Sequence, residues 1–135
     1  MIEPSWIDID DVLESHNEII ARSGGSYGVF NLGALESTLN KPKNLYYYND
    51  DINLFDLASS YAYGLAKNHC FIDGNKRIAF TIASLFLLIN NFELIASESD
   101  SIKTFLDLAA SLENQESDMK DLSNWLKTNS QELID

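Results

Sequence analysis

The chain has 135 residues, 45% of them hydrophobic, with 9 basic and 21 acidic side chains and a formal net charge of -12. That length and apolar content suit one domain with a core that needs no disulfides. The charge disfavours direct binding to nucleic acid, where phosphate contacts supply most of the affinity. It suits a hydrated surface, and leaves room for a basic partner. The single cysteine, Cys70, excludes an intrachain disulfide. The first residues, Met-Ile-Glu-Pro-Ser-Trp, lack the basic start and apolar run of a secretory signal. The longest apolar stretch, Ile78 to Ile89, falls short of the roughly 20 residues of a membrane span. The expectation is a soluble cytoplasmic protein, residues 1–135 forming one domain.

In chain order, Asp8 is a natural N-cap for a first helix, with Asp10 and Asp11 in its first turn. Ile9, Val12, Leu13, His16, Ile19 and Ile20 recur at helical spacing, and Gly24-Gly25 ends the helix. His16 lies on or beside the apolar face and reads as a packed or partly exposed histidine without chemistry. Ser23 to Gly28 is glycine-rich, but no Gly-Lys-Ser or Gly-Lys-Thr follows, so a flexible connection is the expectation. Asn31 caps a second helix carrying Leu32, Leu35 and Leu39, which Lys41-Pro42 is expected to stop. Leu45 to Asp51, with three consecutive tyrosines, has the chain's most β-like composition. It predicts either a short β flap near residues 45–50 that docks a protein target, or aromatic cover for the core.

Asn53 caps a third helix with Leu54, Leu57, Ala58, Tyr61, Ala62 and Leu65 as its stripe, delivering His69 at or past its end. Ile78 to Ile89, broken only by Thr81 and Ser84, is apolar on every side and predicts a buried helix. Phe92 to Ile95 reads as extended. A further helix opens at Ser99 or Asp100, with Ile102, Phe105, Leu106, Ala109 and Leu112 inward. A last one opens at Ser117, with Met119, Leu122, Trp125 and Leu126 inward. From about Thr128 the chain reads as a frayed tail. The predicted class is all-α, a compact helical bundle around one central buried helix.

The stretch His69 to Arg77, His-Cys-Phe-Ile-Asp-Gly-Asn-Lys-Arg, carries the chemistry. Asp-Gly-Asn predicts a turn followed by an N-cap, so the buried helix starts near Asn75 with Lys76 and Arg77 in its first turn. A helix N-terminus already carries partial positive charge, so two cations there call for an anion as well. Free amides, Gly74, Asn75, Lys76 and Arg77 together suit a phosphate. His69 brings the side chain that exchanges protons near neutral pH. Asp73 can hold a divalent cation. A plain capped turn explains Asp-Gly-Asn but leaves the two cations unexplained. A Cys70–His69 nucleophile pair is disfavoured, because adjacent residues rarely point their side chains at each other.

This motif resembles the Fic/Doc superfamily, and more closely its Doc (death-on-curing) toxin branch. The Fic signature is His-Pro-Phe-x-x-Gly-Asn-Gly-x-x-Arg, and the Doc form is His-x-Phe-x-Asp-Gly/Ala-Asn-Lys-Arg. His69, Phe71, Asp73, Gly74, Asn75, Lys76 and Arg77 match the Doc form throughout. Gly33 to Leu39 with Pro42, Ala62 to Asn68, and the Trp125-Leu126 helix also look Doc-like, so the resemblance covers nearly the whole chain. It implies a small all-α protein whose motif wraps nucleotide phosphates, and a toxin of a type II toxin–antitoxin system. Doc transfers the γ-phosphate of ATP to a threonine of translation elongation factor Tu. The lysine at the position of Lys76 replaces the second Fic glycine and is associated with an inverted ATP placement. The resemblance therefore implies a protein kinase with His69 as general base, Asp73 on Mg²⁺, Gly74, Asn75, Lys76 and Arg77 on phosphate, and Phe71 and Ile72 as loop anchors. It also implies a Phd-like antitoxin that folds on the toxin. AMP transfer of the Fic type is the alternative on the same site, and a non-catalytic nucleotide- or peptide-binding module is a second. Two departures stand out. Cys70 replaces a frequent proline, and Phe30-Asn31 stands where many Doc-like chains have Arg-Asp. The self-inhibiting Ser/Thr-x-x-x-Glu-Gly/Asn stretch of some Fic proteins does not occur, so inhibition is expected from a partner.

Overall fold

Among the described residues, five of the six helices in the computed structural model begin on a side chain that accepts from an amide in the first turn: Asp8, Asn31, Asn53, Ser97 and Asn114. The structure describes residues 2–133. The helices are α1 (Ile9–Ser23), α2 (Leu32–Tyr48), α3 (Leu54–Lys67), α4 (Asn75–Ile89), α5 (Glu98–Ala110) and α6 (Gln115–Thr128). The remaining regular structure is a small antiparallel pair, β1 (Phe92–Leu94) and β2 (Ser130–Glu132). The all-α expectation holds. No helix among the described residues is long and apolar enough to cross a membrane.

The α3·α4 pair forms the most extensive interface, with α1, α5 and β1 on other sides of α4. Ile78, Ala79, Ile82, Ala83, Phe86 and Leu87 of α4 are buried against Leu57, Ala58, Tyr61, Ala62 and Leu65 of α3. The α4 helix is central, as its composition predicts, but it surfaces at Leu88 and Ile89. The Tyr61 hydroxyl accepts from the Ile7 amide at 3.2 Å, and burial pushes its pKa up to about 12. Asn90 grips both the end of α4 and the N-terminal segment: Nδ2 donates to the Phe86 and Ser5 carbonyls and Oδ1 accepts from the Ser5 amide.

Five expectations are corrected. Pro42 does not stop α2. It sits buried inside a helix that continues through Tyr48, because packing outweighs the one backbone bond that proline removes. No flap exists at residues 45–50, and the alternative of aromatic cover for the core holds for Tyr46, which packs against it. Tyr46 packs edge-on to Trp6, 5.7 Å between centroids, and the Tyr47 hydroxyl donates to Glu3, so these tyrosines dock the N-terminal segment. The inward face of α5 is Ser101, Phe105 and Leu108, while Ile102 and Leu106 are about half exposed and Leu112 lies past the helix end, fully exposed. Phe105 meets Phe80 edge-on at 5.4 Å, which sets this rotation. Residues 128–133 are not frayed: β2 pairs Ser130 with Leu94 and Glu132 with Phe92, and the Ile95 and Leu133 amides donate to Asn129 and Asn91 carbonyls. The last two residues of the predicted tail lie outside the described ones. The α5 helix starts one or two residues and α6 two residues earlier than expected, because Ser97 and Asn114 do the capping.

The α2–α3 crossing depends on one missing methyl. A Cβ at Gly64 would lie 2.4 Å from Thr38 Cγ2, and Thr38 is itself buried. Alanine is the better helix former, yet overpacking outweighs that gain. Gly64→Ala is expected to lower stability in urea melts by about 1–2 kcal/mol. Adding Thr38→Ser, which removes the clashing methyl, should recover most of the loss; no recovery would place the strain elsewhere.

Candidate active site

The loop from His69 to Gly74 hangs between α3 and α4 and is fixed both through its backbone and through the buried Cys70 and Phe71 side chains. Asn75 does not cap α4. Its side chain turns back on Phe71, with Oδ1 accepting from the Phe71 amide at 3.1 Å and Nδ2 donating to the Phe71 carbonyl at 2.9 Å. Gly74 takes the cap position at φ 77, with no side chain to offer. Among the described residues, the amides of Asn75, Lys76 and Arg77 have no hydrogen-bond partner, since the first α4 bond is Ile78 N–H to the Gly74 carbonyl. Three free amides and two cations thus share one helix start, with no acid in the first turn.

The segment before α2 supports the loop from one side. The Phe30 and Asn31 amides both donate to the Cys70 carbonyl, and the Ile72 amide donates to the Gly28 carbonyl. Val29 and Phe71 form an isolated bridge. Phe30 itself is exposed, while Asn31 caps α2. Phe71 is buried and anchors the loop by its ring. Ile72 departs from the predicted side-chain anchor: it is 56% exposed, and only its amide ties the loop down.

Asp73 is held at both oxygens. Oδ1 accepts from the Gly74 amide at 2.8 Å and Oδ2 from the Ser26 amide at 3.2 Å. Those bonds, chiefly the one from Ser26, hold its carboxyl below the usual carboxylate range, and Arg77 adds to the effect. The glycine-rich loop is therefore part of the site rather than a plain connection. A Cβ at Gly25 would fall 2.5 Å from Asp73 Oδ2. Sequence offers a signal for this, because Gly24 alone ends α1 and the second glycine is surplus to that task.

His16 is the other residue whose part was missed. It is 1% exposed, stacks on Phe71 at 3.8 Å between centroids and 13° between planes, and places Nε2 2.7 Å from the Asp73 carbonyl. A carbonyl only accepts, so Nε2 carries the proton. Of its two expected places His16 takes the packed one, and it also positions the residue that carries the acid. A histidine in line with buried Val12 and Ile20 requires such a partner.

His69 sits just past α3, exposed, in the left-handed region at φ 48. No other described residue hydrogen-bonds its ring. Cys70, its neighbour, is fully buried 3.7 Å from Thr38 Oγ1, and burial pushes the thiol pKa up. That is the wrong direction for a nucleophile. Beside the α4 start opens a groove of about 760 Å³, with Arg22, Lys76 and Arg77 as basic wall and Phe80, Ile102 and Leu106 as apolar wall.

A family model for the Fic/DOC family matches residues 6–87, from before α1 into the last turn of α4. The chain belongs to the Fic/DOC family. It is 30% identical over 91 residues to a protein kinase doc of Escherichia phage P1, covering 67% of this chain and 72% of the relative. It is 35% identical over 92 residues to a toxin Doc of Mycolicibacterium smegmatis, covering 67% of this chain and 68% of the relative. Both relatives are Doc proteins, which puts the chain in the Doc branch.

The Asp73 tether has a defined pH sense. A carboxylate with a depressed folded pKa stabilises above its unfolded value, about 3.9, and releases only as pH falls through the lower folded value. The Ser26 and Gly74 amide resonances should therefore titrate below pH about 4; a midpoint at or above the ordinary value would contradict the tether. His16→Phe preserves the stack on Phe71 and removes the bond to the Asp73 carbonyl. It is expected to cost about 1–2 kcal/mol in thermal or urea unfolding, and an unchanged midpoint would show that the bond contributes nothing.

Proposed function

We propose that this chain is a toxin of the Doc kind: a protein kinase that moves the γ-phosphate of ATP to a serine or threonine hydroxyl of a target protein, with translation elongation factor Tu the first candidate. The observation that carries the reading is the α4 start, where three unpartnered amides stand beside Lys76 and Arg77 with no side-chain cap. This is a ready site for phosphate. Similarity to a relative named a protein kinase and to one named a toxin supports the same reading. Lys76, in the place of the second Fic glycine, favours γ-phosphate over AMP transfer.

In this mechanism His69, free of partners and open to solvent, takes the proton of the target hydroxyl. The hydroxyl oxygen attacks the γ-phosphorus, the bond to the bridging oxygen breaks, and ADP leaves. The α4 amides with Lys76 and Arg77 hold the phosphates and balance their charge, which is most of what phosphoryl transfer asks of a protein. Asp73 suits magnesium. It is held ionised, and two backbone bonds leave part of its acceptor capacity open. Among the described residues no group of three or more metal-ligating side chains gathers, and Mg²⁺ bound with nucleotide needs only one or two carboxylates. When bound, the ion would neutralise charge across the phosphate oxygens. An antitoxin partner belongs to this reading, and a segment of it seated in the 760 Å³ groove would cover the phosphate site.

The test incubates the protein with Mg²⁺, bacterial elongation factor Tu, and either γ-labelled or α-labelled ATP, and reads intact mass. A gain of one phosphate with γ-label is expected. His69→Ala should cut the rate by about 10²–10⁴-fold while nucleotide affinity persists. An AMP-sized gain with α-label would replace the kinase with an adenylyltransferase. Nucleotide binding without transfer to any protein of a bacterial lysate would favour a binding module.

A further inference from the structure

A second pocket, about 360 Å³, lies between α5 and α6 and shares no lining residue with the groove at the α4 start. Asp107, Glu113, Asp118 and Asp121 line it, and no basic side chain does. Its apolar wall is Leu108, Leu122 and the half-buried Trp125, whose indole N–H is turned onto Asp100. Asp107 is paired with exposed Lys103, and Glu113 accepts from Ser117. Asp121 is exposed and has no partner among the described residues. Asp118 is only 8% exposed. Its Oδ1 accepts from Ser111 at 2.8 Å, while Oδ2 is buried without any hydrogen-bond partner. A buried carboxylate oxygen lacking a donor is costly and uncommon. The Lys67 ammonium is directed at the Ala109 and Ser111 carbonyls.

We propose that this pocket receives an arginine side chain from a basic segment of a partner protein. A guanidinium offers five donors in a planar fork, enough to engage Asp118 and Asp121 together. Its stem suits Leu108 and Leu122, and its plane suits the Trp125 face. A partial turn of the Asp118 carboxylate about its broad Cβ–Cγ torsion, which exchanges the Ser111 bond for bonds from the guanidinium, presents it to the arginine. A metal ion fits poorly, because no three ligating side chains among the described residues come close enough to share one. Free arginine also fits poorly. Its own carboxylate would enter a wall of four acids with no cation to receive it, whereas an arginine within a chain has that group locked in an amide. The excess of 12 negative charges steers a basic segment toward the surface.

The test titrates the full chain, labelled at its two tryptophans, with the blocked peptide acetyl-Gly-Arg-Gly-amide and follows the indole N–H resonances. The Trp125 signal should shift and saturate while that of Trp6 stays still, and salt should weaken the binding. The same peptide with citrulline, which has the shape but not the charge, should leave Trp125 unmoved, and free arginine should bind more weakly than the blocked peptide. Asp121→Asn, an exposed change that leaves the fold intact, and Asp118→Asn, which preserves an acceptor for Ser111, should each weaken binding by at least about fivefold. Absence of a Trp125 shift, an equal shift with citrulline, or undiminished affinity in both variants would overturn the proposal. So would displacement of the peptide by magnesium at constant ionic strength, which would make the pocket a metal site.

Discussion

Asn75 gives its side chain to the backbone of Phe71, and the site follows from that pairing. Asparagine at a helix start ordinarily accepts an amide of the first turn. Here both ends of its amide group are engaged one turn upstream, on the N–H and C=O of a single residue. The start of α4 is left with glycine at the cap and three amides without a partner among the described residues. The bond that closes the loop is thus also the one that leaves the helix uncapped. The other five helices satisfy their starts from within, so α4 differs in this respect.

Rigidity reaches this loop from the core. Phe71 is buried, with His16 of α1 lying flat against it, and His16 in turn holds the Asp73 carbonyl. The carbonyl of Cys70 takes two amides from the segment before α2. Only His69 and Ile72 project from this frame. His69 adopts a left-handed backbone, an uncommon conformation for a residue with a side chain, at a point where neighbours on both sides are fixed. Asn68 before it donates to Thr38, and Cys70 after it is buried. The exposed imidazole therefore stands on a short, constrained piece of chain.

Sequence made the helical class, the central role of α4, half of the helix caps and the motif residues legible, because each rests on local spacing. Asp8, Asn31 and Asn53 announce themselves within four residues of what they cap. The contributions that were not legible are long-range. Nothing local to Ser26 says that its amide reaches an oxygen 47 positions away. Nothing local to Tyr46 says that Trp6 will cover it, and the three tyrosines read as β for want of that contact. Ile102 and Leu106 were assigned inward by periodicity, which identifies an apolar stripe but not which apolar residues meet a neighbour. Phe105 on Phe80 decided the rotation of α5, and the stripe's edge became a groove wall. Pro42 misled because a proline rule is a rule about isolated helices.

The small sheet has a consequence for the order in which the molecule can be made. The far end of α4 is clasped from two directions, by Ser5 through Asn90 and by β2 through β1 and Asn91. Residues 130–133 emerge from the ribosome after every element they brace. A nascent chain that has already exposed the apolar α4 has no means yet of closing its exit, and the helix that carries the motif waits on a strand synthesised some forty residues later. Completion of this bundle is thus tied to completion of translation over this region, and unfinished chains lack the clasp on the helix that carries the motif.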